Sequence, residues 1–213
     1  MIHVACHLET QPDVPELPRI GVRFRIPTDM NQLEYLGRGP EENYCDRNNG
    51  TFIGHYKSTA EQQYVPYVRP QENGHKTETR WLALTDKTGK GLLFIADSNF
   101  MEFNVSHNRI EDFDGEESNR PYQWQNFTKG ESHDPLMAKK RKPKQTHIND
   151  IFPRNFVEVC LDHRMMGVAG DDAWGSQPYP KYKLPTNKDY HWNFTILPIK
   201  NNMEISEKLS YQY

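Results

Sequence analysis

Polar and apolar residues alternate with a period of two along much of this 213-residue chain. In HVACHLET, residues 3–10, Val4, Cys6 and Leu8 share one side, and in GVRFRIP, residues 21–27, Val22, Phe24 and Ile26 alternate with Arg23 and Arg25. NFMEFNVSHN, residues 99–108, sets Met101, Phe103 and Val105 against Glu102 and Asn104. FVEVCLDHR, residues 156–164, sets Val157, Val159 and Leu161 against Glu158 and Cys160. Successive side chains of a strand point to opposite faces, so each stretch reads as a half-buried strand. RWLALTD (80–86), GLLFIAD (91–97) and HWNFTILPI (191–199) complete the set, and the turn-rich TDKTGKG between the first two of these predicts a hairpin. No stretch of 11 residues or more carries a helical period, and 15 prolines would interrupt most candidates. The expected class is all-β, an antiparallel sandwich or barrel.

Residues 112–150 depart from this pattern. They have almost no apolar periodicity and run from an acidic patch into KKRKPK, so they read as a long charged loop. The expected organisation is one β domain over residues 1–198 and a C-terminal tail over 199–213. The first strand begins at residue 2 with no turn ahead of it, as in a chain cut from a longer one.

Charge and composition narrow the partners. A net charge of −3 argues against nucleic acid or membrane as the main partner. No run approaches the roughly 20 apolar residues of a membrane helix, and MIHVACHLETQ lacks the features of a signal peptide. Cys6, Cys45 and Cys160 are odd in number and far apart, so they read as buried or free thiols and not a disulfide framework or zinc site; this favours the cytoplasm, with a secreted or periplasmic parent the alternative. The basic run 139–144 sits near Glu131, Asp134 and Asp150 without interleaved aromatics and reads as solvated loop charge. His3 and His7 lie on a strand about 13 Å apart, too far to share one ion, and no metal site is expected.

Three stretches hold candidate chemistry. LGRGPEENYCDR, residues 36–47, offers Glu41, Glu42 and Asp46 to a reaction needing two carboxyls about 5–10 Å apart. The same residues, with Arg38 and Arg47, fit local ion pairs and a capped helical turn after Pro40. YVPYVRPQENGHKTETRW, residues 64–81, combines two prolines with Tyr64, Tyr67, Glu72 and an Asn73-Gly74 turn, suiting either carbohydrate contact or sheet-edge packing. GDDAWGSQP, residues 170–178, puts Trp174 on a loop beside Asp171 and Asp172. An indole face packs well on the apolar side of a pyranose while carboxylates accept sugar hydroxyls, and packing onto the protein's own core is the other reading.

LPRIG (17–21), LGRGPEENYCDR, YVPYVRPQENG (64–74) and GDDAWGSQP, in this order, resemble the C-terminal domain of the large bacterial β-galactosidases of glycoside hydrolase family 2, from about residue 2 to about residue 198. The loop 112–150 is larger than that pattern, and the tail departs from it. The resemblance implies an antiparallel supersandwich similar to galactose mutarotases, of which this chain is the latter, incomplete portion. It implies that the parent hydrolyses terminal β-galactosides such as lactose with retention. The catalytic glutamates, and the magnesium and sodium of the family, would lie in an upstream barrel. The chain alone would then hold no catalytic residue and no cofactor, and would be inactive. By resemblance Trp174 is a substrate platform, with Asp171 and Asp172 beside it as substrate-binding residues. Arg19, Glu42, Asn43, Tyr44, Asp46, Arg47, Tyr67, Glu72 and Asn73 support the structure around the site. The implied partners are a galactoside, the catalytic barrel and other domains of the same enzyme, and further copies in a homo-oligomer. A stand-alone galactose-binding module and a pure assembly domain remain open alternatives. A mutarotase is disfavoured, because the motifs contain no clear pair of histidine and carboxylate for ring opening.

Overall fold

Among the described residues, ten strands build two antiparallel sheets. They are β1 (Ile2–Leu8), β2 (Arg19–Ile26), β3 (Gln32–Gly39), β4 (Phe52–Thr59), β5 (Lys76–Thr79), β6 (Trp81–Thr85), β7 (Gly91–Ala96), β8 (Met101–Ser106), β9 (Val157–Met165) and β10 (Tyr190–Ile199). One sheet has the order β1-β10-β7-β6-β3-β4 and the other β2-β9-β8-β5. The computed structural model describes residues 1–113, 147–172 and 175–200. The described residues fall into two compact units. The larger comprises 1–65, 73–107 and the chain from 154 onward, and holds both sheets; the smaller comprises 66–72 and 108–153.

The two sheets form the expected antiparallel sandwich. Its interior is built from the inward positions of the alternating stretches: Phe103, Val157 and Val159 at 0% exposure, with Val105 and Leu161 opposite Tyr35, Leu82, Leu84 and Phe94. Burying each such side chain contributes about 1.5–3 kcal/mol. Aromatic rings lock the two layers together: Tyr35 of β3 meets Phe103 of β8 edge-on at 5.1 Å, and Phe24 of β2 meets Phe94 of β7 at 5.6 Å. The hairpin between β6 and β7 closes through Asp86, whose carboxylate accepts the amides of Thr88 and Lys90.

The structure departs from strict half-burial in two places. β6 is buried on both sides, because Trp81 and Ala83 join Leu93, Ile95 and Ile199 in a second apolar cluster on the opposite face from the main core. β9 is buried from Val157 to Asp162, its outward Glu158, Cys160 and Asp162 included. The pattern also concealed β3, β4 and β5. Gly37, Gly39 and Gly54 interrupt the first two, and β5 carries a bulge where Lys76 and Thr79 pair with Phe103 and Met101. The helical turn expected after Pro40 does not form. A bend leads instead to a bridge between Tyr44 and Arg47, because Asn43 and Tyr44 are drawn inward by partners distant in sequence.

At the two ends of the stretch 112–150, a short helical turn at Ile110–Phe113 and another at Ile148–Asp150 are described. Residues 114–146, with the basic run, lie outside the described residues, as do 201–213 of the tail. β10 runs through Ile199. Among the described residues no helix is long and apolar enough to cross a membrane.

Candidate functional site

The candidate site grows from the outward face of the four-stranded sheet. β2 presents Arg19, Arg23 and Arg25, and the neighbouring β9 presents Glu158 and Asp162. Arg25 Nε donates to Glu158 Oε2 at 3.1 Å, and Arg19 Nε lies 3.0 Å from Asp162 Oδ2. Both carboxylates are almost fully buried. Isolated, each would cost several kcal/mol in this setting, so the arginines are what make their burial tolerable.

Next to this layer the loops deliver His75 from the segment after Asn73-Gly74. The Asn73-Gly74 turn has the left-handed geometry expected of it, with Gly74 at φ +76°, and a Cβ there would also lie 2.6 Å from the Gln63 carbonyl oxygen. His75 is fully buried. Asn104 Nδ2 donates to the Asn73 carbonyl at 2.7 Å, which turns Asn104 Oδ1 toward Arg19 and His75. His75 Nδ1 then donates to that oxygen at 2.7 Å, and Nε2 donates to Glu102 Oε2 at 3.1 Å. Acceptors at both nitrogens favour the protonated ring, while the Arg19 guanidinium, 3.4 Å from Nδ1, disfavours it. Burial opposes the charge, but the hydrogen bond and charge of Glu102 outweigh it, and the His75 pKa is raised. The same Glu102 oxygen accepts the Met165 amide at 2.7 Å. A pair of histidine and carboxylate is thus formed with a residue outside the sequence motifs. His75 lies just ahead of β5 and Glu102 on β8, 27 residues apart; the pairing of these strands brings them together, and His75 is sealed from solvent.

The stretch 36–47 closes over this cluster. Asn43 is wholly buried: its side-chain amide donates to the carbonyls of Arg38 and Glu41, and its Oδ1 accepts from the amide and hydroxyl of Thr77 at 2.9 and 2.5 Å. Tyr44 stacks on His75 at 5.3 Å, and the Arg47 guanidinium lies 5.0 Å from the Tyr44 ring centre. Glu42 accepts from Gly74 N at 2.8 Å and from Arg47 at 2.6 Å. Buried beside them, Lys76 has its ammonium 3.2 Å from the Gly74 carbonyl oxygen. Burial, only partly offset by Glu42 and Glu41, brings its pKa down to about 8. Cys45 is pushed up to about 11 by burial, with Glu102 and Asp46 adding to the effect, so it is a thiol at neutral pH.

Asp46 links this cluster to the loop containing residues 170–178. Its Oδ2 accepts the Ala169 amide at 2.8 Å, and a Cβ on Gly167 would lie 2.5 Å from that same oxygen, so a side chain there would displace the Asp46 carboxylate. The Gly167 amide donates to the Tyr182 carbonyl at 2.8 Å, joining the two legs of the loop at its base. Asp171 and Asp172 are exposed on the first leg, and Asp171 accepts a hydrogen bond from the exposed Tyr179 on the second. Trp174, the expected platform, lies outside the described residues, as does Ala173.

Of the residues singled out in the sequence, Arg19, Glu42, Asn43, Tyr44, Asp46, Arg47 and Asn73 converge on this one network. Tyr67 and Glu72 belong to the smaller unit, where both are half-buried. Sequence reasoning missed His75, Lys76, Glu102, Asn104, Glu158 and Asp162. One signal pointed to some of them: polar residues at the outward positions of β8 and β9 answer the arginines at alternate positions of β2. Among the described residues no three histidine, cysteine, aspartate or glutamate side chains are placed to hold a metal ion.

The profile of the family described as beta galactosidase small chain matches residues 1–196. The beta-galactosidase of Priestia megaterium is 32% identical over 189 residues, which cover 87% of this chain and 15% of that protein. Those of Halalkalibacterium halodurans and Streptococcus thermophilus are 28% and 27% identical, over 86% and 93% of this chain and 15% and 16% of theirs. The chain thus spans about 15% of the length of these relatives. With a family profile covering nearly its whole length and a sandwich built around the motifs that carry the likeness, the chain belongs to the beta-galactosidase small chain family.

Proposed function

We propose that this chain is the C-terminal region of a cytoplasmic β-galactosidase and supplies one wall of its substrate site through the loop 170–178. The parent hydrolyses terminal β-galactosides with retention, using two carboxyl groups of a catalytic barrel outside this chain. Magnesium and sodium belong to that barrel and not to this chain. The partners of the chain are the galactoside, the barrel, and further copies of the enzyme.

The observation that carries the reading is the bracing of the loop by Asp46, which ties residue 169 to the buried network behind the four-stranded sheet. A stacking surface improves binding only if its position is held before substrate arrives, because ordering it afterwards costs affinity. Trp174 stacks on the apolar face of a sugar, and Asp171 and Asp172 accept hydroxyls. Glu42 is already engaged by Gly74 and Arg47, which fits a supporting role and not that of a nucleophile.

The test is Trp174→Ala in the whole enzyme. Stacking worth about 1 kcal/mol predicts a rise in KM for lactose of about fivefold with a smaller change in kcat. An unchanged KM would refute the reading, as would lactose hydrolysis by this chain alone that survives Trp174→Ala.

A further inference from the structure

The loop from Met165 to Tyr182 is cross-linked between its legs at three levels. At the base, the Gly167 amide donates to the Tyr182 carbonyl at 2.8 Å. Above it, a Cβ on Gly170 would collide with the Ser176 backbone, so the legs touch there. The third link is made by side chains: the Tyr179 hydroxyl donates to Asp171 Oδ1. Residues 173 and 174 lie in sequence between the members of these last two links.

Tyr179 is out of place as a packing residue. It is 54% exposed, among the large apolar side chains left outside the core. A tyrosine held on the surface gains little from burial, so what fixes it is the hydroxyl. Its backbone is fixed independently, because the Tyr179 carbonyl accepts the Tyr182 amide at 2.8 Å in the turn Pro180–Tyr182. Tyr179 therefore offers a rigid donor to the more exposed leg. A carboxylate has about four acceptor positions, so one hydroxyl orients Asp171 and still leaves capacity for a ligand hydroxyl. A hydrogen bond to a charged acceptor is also stronger than a neutral one, which suits a link exposed to water.

We infer that Tyr179 is a positioning residue of the substrate loop: its hydroxyl latches Asp171, aims that carboxylate, and holds the two legs of the loop together. The inference rests on the reading of the loop as a substrate wall, and deepens it.

Two measurements test it. The first is amide hydrogen exchange over residues 168–178 in this chain. Tyr179→Phe keeps the ring and loses the donor, and should speed exchange about three- to tenfold; Asp171→Ala should do the same, and Asp171→Asn, which keeps an acceptor, should restore slow exchange. The second is lactose kinetics in the whole enzyme. Tyr179→Phe and Asp171→Ala should each raise KM about three- to tenfold with kcat within twofold, their double variant should add nothing further, and Asp171→Asn should stay near wild type. Unchanged exchange in Tyr179→Phe overturns the latch, whatever the kinetics. Faster exchange with KM unchanged, in an enzyme whose KM does respond to Trp174→Ala, overturns its role in substrate positioning. Faster exchange in an enzyme indifferent to Trp174→Ala keeps the latch, discards the substrate wall, and so overturns the inference as stated.

Discussion

The space between the two sheets and the layer behind the four-stranded sheet are equally shielded from water, yet they are built by opposite means. The first is apolar throughout, with Phe103, Phe94, Leu82 and Val159 at 0% exposure. The second holds Glu158, Asp162, Glu102 and His75 at 0–5%, each tied to a named partner. Apolar burial is non-directional and tolerates exchange among side chains of similar size. A buried charge is tolerable only with its own partner at the right place. The first region therefore carries most of the sandwich's stability, while the second determines which loop sits where and how firmly the substrate loop is anchored.

Three substitutions would break or sharpen this contrast, in descending order of effect. Phe103→Ala removes a ring packed against Tyr35 at the middle of the apolar layer and should destabilise the chain by about 3–5 kcal/mol, read from the shift of its urea midpoint. A loss below about 1 kcal/mol would mean that the two sheets are not held by this core.

Glu102→Ala strips the carboxylate from buried His75 and from the Met165 amide, and should cost about 3 kcal/mol near pH 6. The pH dependence has a definite sign. The folded pKa of His75 is raised, so the pair's contribution is fully present below the ordinary imidazole value and is lost as pH rises through the folded value. Denaturation of the wild type between pH 5 and 9 should show that loss, and Glu102→Ala should remove it. An identical pH profile in the variant would show that His75 is not charged in the fold.

Lys76→Met should act in the opposite direction. The lysine pKa is lowered to about 8, so between that value and its ordinary 10.5 the unfolded chain holds a proton that the folded chain has released, and stability rises with pH. Below pH 8 the buried charge is a net cost. Replacing it with an apolar chain of similar length should stabilise the protein by about 1–2 kcal/mol at pH 7 and by less at pH 10. Destabilisation at pH 7 would mean that the ammonium is paired well enough to repay its burial.

Much of the sandwich was legible in the sequence. Val22, Phe24 and Ile26, or Met101, Phe103 and Val105, alternate because a strand with one face inward has to, and that requirement is local. β3 was not legible, because glycines stand where apolar residues would have marked it, and β5 was hidden by its bulge. The motif residues Asn43, Asp46 and Arg47 were visible as a cluster of polar types, but what they hold was not. Asp46 finds its partner 123 positions away at Ala169, and Asn43 closes on Thr77 across 34.

By itself, then, the sequence determined the class of fold, the direction in which most strand faces point, and, through its resemblance, the family. The tertiary structure alone decided that His75, Glu102, Asn104, Arg19 and Asp162 meet, that Lys76 is buried near Glu42, and that Tyr179 reaches Asp171. The physical reason is range: alternation is imposed on each residue by its neighbours two positions away, whereas a buried polar group is satisfied by whichever strand the sheet order brings beside it.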